Sequence, residues 1–254
     1  MALNDYTPRP FTAPVDGVPV THDVYEGGSG PAILLVQELP GIGPSTVRLA
    51  DELRDQGLTV AIPRLFGPFG EIQMVRNIGR VLCMRREFTL FAGGRSSPVV
   101  DWLRALARDC HERHGGPGVG MIGMCLTGNF AMSMVVDPAV RAAVASQPSM
   151  PIGGSRAQNA LHMTGEEVQA ARAQLDDKGP MLALRFEEDP LCRAAKFGAI
   201  DAAFNDDRER VRLRVLPGKG HSVLTEDFVN EAGHPTRTAL DEVLQYFRAQ
   251  LLAS

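Results

Sequence analysis

The sequence predicts an α/β fold, a mostly parallel central sheet with helices on both faces. Three observations carry this reading. Short apolar runs at 32–36, 58–62 and 119–122 are continuous rather than alternating, the pattern of strands buried on both sheet faces. Stretches with helical periodicity lie between such runs, and a strand–helix–strand crossover implies parallel pairing. A chain of 254 residues with 44% hydrophobic and 22% charged residues has material for one large core, and no Ser/Gly-rich or charged linker divides it. Residues 1–254 are therefore expected to form a single domain.

Taken in order, residues 8–26 carry Pro8, Pro10 and Pro14, turn at Asp16-Gly17 and continue through Val18-Pro19-Val20-Thr21, which reads as a β-hairpin. The run at 32–36 ends in Gln37-Glu38-Leu39-Pro40-Gly41, a loop at a strand's carboxyl end, where open α/β sheets place their ligands. Ser45 is the expected cap of a helix that buries Leu49, Ala50 and Leu53 and ends at Gly57, and Pro63 stops the strand that follows. The segment 64–96 is looser, mixing Phe66, Phe69, Phe88 and Phe91 with Arg64, Arg76, Arg80, Arg85, Arg86 and Arg95 against only Glu71 and Glu87 as acids. It reads either as a lid or wall offering cations to an acidic substrate, or as a solvated basic face over ordinary aromatic packing. Ser97 and Pro98 then open a helix with Val99, Leu103, Leu106 and Cys110 on one stripe. An apolar helix over 129–136, a break at Asp137-Pro138, a strand over 141–145, a capping box at Thr164-x-x-Glu167 and a strand over 181–184 come next. Residues 211–215 alternate with period two, which suits a sheet edge, and Leu240, Val243, Leu244, Phe247 and Leu251 share one face of a closing helix.

A net charge of −4, from 26 basic and 30 acidic residues, argues against a polyanionic partner, so no nucleic acid is expected and the ligand should be a small molecule. Cys83, Cys110, Cys125 and Cys192 stand far apart, with no C-x-x-C pair and no histidine at ligand spacing. Free thiols in a reducing compartment follow, with no metal, disulfide framework or cofactor. The first residues show no basic stretch leading into an apolar one, and no apolar run approaches the roughly 20 residues of a membrane span. A cytoplasmic protein, monomer or homodimer, without membrane association is the expectation.

The chemistry centres on Gly123-Met124-Cys125-Leu126-Thr127-Gly128, between the strand at 119–122 and the helix at 129–136. A nucleophile on such a strand-to-helix turn stands up from the sheet top, and the turn accepts only small residues two positions either side of it. Cys125 holds that slot. On these six residues alone, a buried core cysteine in a glycine-containing turn is an equal alternative. Asp189 and His221 favour the first reading, because each falls just past an expected strand in the order nucleophile, acid, histidine that characterises α/β-hydrolases. In that scheme His221 takes the thiol proton, and the carboxylate fixes its tautomer. Glu187 and Glu188 compete for the acid role, but the end of the strand before Asp189 and the turn at Pro190 favour Asp189. Gly218 and Gly220 beside His221 suit a backbone held in an unusual turn. The backbone N–H of Leu126 would supply one oxyanion donor and that of Leu39 the other, since Pro40 has none.

With these residues in place the chain resembles the dienelactone hydrolases, which are cysteine-dependent α/β-hydrolases. The resemblance rests on Gln37-Glu38, Gly123-x-Cys125-Leu126-x-Gly128, Asp189 and Gly220-His221-Ser222, and extends over about 31–225. It implies a Cys125, Asp189 and His221 triad, a Glu38 that contacts the resting cysteine, and an enol-lactone substrate bearing a carboxylate. A carboxylate against a thiol opposes its ionisation, so Glu38 would gate Cys125; the alternative is that Glu38 only hydrogen-bonds the Pro40-Gly41 turn and shapes the oxyanion loop. Two positions depart from the family pattern. Thr127 replaces the usual small glycine and is expected to crowd the elbow, and Thr225 stands where the family has a carboxylate-binding arginine. A second such arginine would fall within 64–96. The expected activity is hydrolysis of a small-molecule ester or lactone through a Cys125 acyl-enzyme. The rival is a hydrolase-fold protein that binds or senses a small molecule with little turnover, against which the intact Cys125, Asp189 and His221 argue. A redox thiol enzyme would want a resolving cysteine, and none lies nearby in sequence.

Overall fold

The computed structural model describes residues 5–39, 41–72, 97–150 and 154–253. Among them, eight strands form one sheet in the order β1-β2-β4-β3-β5-β6-β7-β8. Strands β1 (Thr7–Val15) and β2 (Val18–Gly28) make the expected antiparallel hairpin. Asp16 and Gly17 both have positive φ (49° and 77°), the turn geometry whose twist matches that of paired strands. The hairpin joins the sheet through antiparallel pairing of β2 with β4 (Thr59–Pro63). From β4 onward β3 (Ala32–Val36), β5 (Val119–Met124), β6 (Val140–Ser146), β7 (Met181–Phe186) and β8 (Val211–Leu216) all run parallel. Their carboxyl ends consequently share one edge of the sheet, which is where the site lies.

The helices are α1 (Pro44–Arg54), α2 (Pro98–His114), α3 (Gly128–Met134), α4 (Gly154–Asn159), α5 (Gly165–Lys178), α6 (Ala194–Phe204) and α7 (Pro235–Phe247). Strand alternation divides the apolar residues between two cores. Ile33 and Leu35 of β3 pack in one core with Leu49 and Leu53 of α1 and Val243 and Phe247 of α7. Leu34 and Val36 pack in the other with Trp102 and Leu106 of α2 and Phe130 of α3. An unbroken apolar run is thus required of a strand that feeds both faces, and each large side chain so buried contributes about 1.5–3 kcal/mol.

Several boundaries refine the sequence reading. Helix α1 is capped by Gly43 rather than Ser45, because Pro44 has the φ of a first helical residue and starts the helix one position earlier. The Thr164 and Glu167 capping box forms as expected, each side chain 3.0 Å from the other's backbone nitrogen. Strand β8 lies at the sheet edge, pairing only with β7. Helix α6 was not anticipated, because its buried stripe of Phe197, Ile200 and Phe204 also contains Lys196, and a cation among apolar positions obscures the periodicity. Of the 64–96 segment, residues 73–96 lie outside the described residues, and with them Cys83, Phe88, Phe91, Arg76, Arg80, Arg85, Arg86 and Arg95. Arg64 pairs with Asp23, and Phe69 stacks on Tyr25 with ring centroids 3.9 Å apart. Among the described residues no helix is long and apolar enough to cross a membrane.

Candidate active site

Strand β5 ends at Met124, and the chain turns through a short 3-10 segment, Cys125–Thr127, into α3. Cys125 has φ of 57°, a left-handed conformation that costs a side-chain-bearing residue on the order of 1–3 kcal/mol and is held only because its surroundings dictate it. Gly123 is required by that turn, since a Cβ there would lie 2.1 Å from the carbonyl oxygen of Thr127. The expected crowding by Thr127 does not occur. It is the Thr127 backbone that meets Gly123, while the side chain lies against neighbouring backbone: Oγ1 accepts from Met124 N (2.9 Å) and is within donating distance of Met124 O (2.9 Å) and Val36 O (3.2 Å). The threonine therefore ties the elbow to the end of β3.

The elbow, the end of β7 and the loop after β8 bring Cys125, Asp189 and His221 together. Asp189 is buried, and its Oδ1 accepts from the backbone N–H groups of Leu191 and Cys192, both at 2.8 Å. Both carboxylate oxygens reach His221 Nδ1, at 2.9 and 3.0 Å. Glu187 and Glu188 are exposed, and Glu188 pairs with Lys219 at 3.4 Å. Asp227 fixes the histidine loop by accepting from the backbone N–H of His221 (2.7 Å) and of Ser222 (2.9 Å). Gly220, with φ of 148°, lets that loop pass against Phe186, whose ring carbon lies 2.8 Å from where a Cβ would stand.

Bonding of Nδ1 to Asp189 leaves Nε2 on the side of the ring away from that carboxylate. Burial by itself would lower the His221 pKa, but the hydrogen bond to Asp189 and the proximity of Cys125 outweigh it and raise it to about 10. The sulfur is thus close enough to couple to the ring, yet Nε2 is buried without a hydrogen-bond partner of normal geometry. The sulfur's partner is instead Ser149 Oγ, at 3.4 Å. Cys110 and Cys192 are also buried free thiols, and burial pushes the first up to about 12 and the second higher still.

Glu38, 2% exposed, follows β3 and sits beneath the histidine loop. Its carboxylate accepts from Ser222 Oγ at 2.9 Å and from Thr225 Oγ1. Burial raises its pKa, with the two hydroxyls acting in the opposite direction. The hydrogen bonds of Glu38 and of the Cys125 sulfur are therefore made to different partners, unlike the direct contact implied by the family resemblance. Thr225, at the position of the family's arginine, is buried against Glu38 and is not offered to a substrate. Leu126 follows Cys125 at the start of the turn, and its carbonyl is held by Asn129 Nδ2 at 3.2 Å; Leu39 follows Glu38 in the loop after β3.

Sequence reasoning missed Ser149, Asn129 and Lys196. Ser149 lies just past β6, and asking what each parallel strand delivers to its carboxyl end would have found it. Lys196 could have been noticed as the one cation in the apolar stripe of α6. Among the described residues no group of three or more His, Cys, Asp or Glu side chains could hold a metal ion.

A mostly parallel sheet with helices on both faces, a sharp strand-to-helix turn after β5, Asp189 past β7 and His221 past β8 follow the α/β-hydrolase plan, and this chain has that fold. A model of the dienelactone hydrolase family matches residues 19–251, and the chain belongs to that family. Solved structures of the same fold include the dienelactone hydrolase of Anabaena variabilis, at 17% identity and TM-score 0.56, covering 97% of this chain and 99% of that one. A dienelactone hydrolase-like promiscuous phosphotriesterase from metagenomic libraries aligns at 13% identity and TM-score 0.65 over 97% and 99% of the two chains. A cold-adapted esterase from an Arctic intertidal metagenomic library aligns at 17% identity and TM-score 0.59 over 99% and 97%. A comparison with curated protein sequences finds no match.

Proposed function

We propose that this member of a hydrolase family cleaves a small-molecule ester or lactone through a Cys125 acyl-enzyme. The observation that carries the proposal is a histidine bonded through Nδ1 to buried Asp189, with Nε2 unpaired and coupled to a cysteine on a left-handed elbow. The cycle begins with a proton already on His221 Nε2, and the deprotonated Cys125 sulfur attacks the carbonyl carbon, moving the C=O electron pair onto oxygen. The N–H groups of Leu126 and Leu39 receive that oxyanion. As the C–O bond breaks, the imidazolium returns its proton to the leaving oxygen, leaving a thioester on Cys125. His221 then takes a proton from water, whose oxygen attacks the thioester; the C–S bond breaks, its electron pair returns to sulfur and the acid is released.

Turnover of a panel of p-nitrophenyl esters and lactones by wild type and Cys125→Ala tests this. Loss of the triad nucleophile should lower kcat by a factor on the order of 10³ or more. A folded Cys125→Ala protein that keeps wild-type turnover, or a wild type inert across the panel, would overturn the hydrolase mechanism.

A further inference from the structure

Three elements converge behind the nucleophile on a polar chain that the triad leaves unused. Ser149, in the loop after β6, is joined to the elbow twice and to α3 once: its N–H donates to Cys125 O at 3.0 Å, its hydroxyl lies 3.4 Å from Cys125 Sγ, and its carbonyl accepts from Asn129 Nδ2 at 2.9 Å. Asn129, in α3, also donates to Leu126 O at 3.2 Å, so one amide holds the carbonyls of the nucleophile's successor and of its hydroxyl partner. Lys196 of α6 reaches in from beyond, its Nζ donating to Asn129 Oδ1 at 2.7 Å and to Ala160 O. All three residues have no measurable exposure.

A fully buried ammonium is costly, and an apolar residue of similar size would stabilise the core at least as well. Retaining one calls for a role beyond packing. This one orients the Asn129 amide, because an acceptor facing a cation fixes which end of the side chain points at Lys196 and which at the two carbonyls. The amide in turn holds Ser149 against the sulfur.

We propose that Ser149 is a catalytic residue whose hydroxyl donates a hydrogen bond to the Cys125 sulfur, and that Asn129 and Lys196 are positioning residues that hold it there. This rests on Cys125 being the nucleophile. A donor at the sulfur favours its charged form, and that form appears twice in the cycle: in the attack on the ester and again when the C–S bond breaks and the electron pair returns to sulfur. The bond is weakest in between, when the sulfur carries the acyl group and no charge.

The test is the pH dependence of Cys125 alkylation by iodoacetamide, read by peptide mapping, in wild type, Ser149→Ala, Ser149→Thr and Lys196→Met, each checked for folding by circular dichroism. Ser149→Ala should move the midpoint of alkylation to higher pH by about one unit, a tenfold loss of thiolate at a given pH on the rising limb. Ser149→Thr, which keeps a hydroxyl, should restore it toward wild type. Lys196→Met, which leaves Ser149 in place, should move the midpoint in the same direction by less. A folded Ser149→Ala protein with the wild-type midpoint overturns the proposal. A wild-type midpoint in Lys196→Met overturns the positioning role, and should Ser149→Ala not fold, that same variant decides the matter. The profile is read without any ester being turned over, so failure of the hydrolase reading, seen as absent Cys125-dependent turnover, is a separate result.

Discussion

At the scale of single residues, protonation states decide more than identities do. His221 has a folded-state pKa of about 10 against an ordinary 6.5, so the folded protein keeps a proton that the unfolded chain releases. Its contribution to stability is full below about pH 6.5 and is lost as pH rises through 10. Lys196 has the opposite sign: burial pushes it down to about 8 from 10.5, so the unfolded chain holds the extra proton and stability is regained across that window. The two slopes cancel between about pH 8 and 10. The expected melting temperature falls from pH 6.5 to 8 and then levels, whereas in Lys196→Met it should go on falling to pH 10. A steady decline of the wild type across the upper window would contradict this. Glu38 is the second case. With its carboxylate accepting from Ser222 and Thr225, Glu38→Gln should weaken the anchoring of the histidine loop by about 0.5–1.5 kcal/mol and lower turnover, while leaving Cys125 alkylation unchanged. Faster alkylation of the free variant would restore the thiol gate expected from a carboxylate beside Cys125.

At the scale of elements, the elbow is set by backbone contact rather than by side-chain bulk. Gly123→Ala places a Cβ 2.1 Å from the Thr127 carbonyl, a backbone atom that cannot move aside without shifting α3. A loss of more than about 3 kcal/mol, or failure to fold, is expected by chemical denaturation. A variant that melts like wild type would mean that the turn is looser than its geometry implies. Thr127 shows why a motif position and its contact differ. The sequence places a residue of some size two positions after Cys125, but only the folded turn reveals that this side chain points at Val36 and Met124 instead of Gly123. Strands β3, β4 and β5 were legible because their burial on both faces writes a continuous apolar run. Helix α6 was not, because its buried face includes Lys196, whose partners come from α3 and the loop after α4.

At the scale of the whole molecule, the loop after β8 packs over the end of β3, and that contact bears on substrate choice. Thr225 in place of an arginine is committed to Glu38, so the described part of the site offers no guanidinium at this position for bidentate recognition of a substrate carboxylate. Hydrolysis of a carboxylated ester and of its methyl ester should therefore proceed with kcat/KM values within about tenfold of each other, the scale of one lost charged contact. A strong preference for the free acid that vanishes on substituting an arginine of 64–96 would show that a replacement exists there. The sequence by itself determined the α/β class and the strand-end placement of Cys125, Asp189 and His221, and it favoured Asp189 over Glu187 and Glu188 without deciding among them, because periodicity, turn residues and chain order are local properties. Only the tertiary structure decided which groups those residues touch. Glu38 meets Ser222 and Thr225 from more than 180 positions away, and Cys125 meets Ser149 across a strand boundary. Such partners are chosen by how strands register and loops cross at the sheet edge, and no local pattern encodes that.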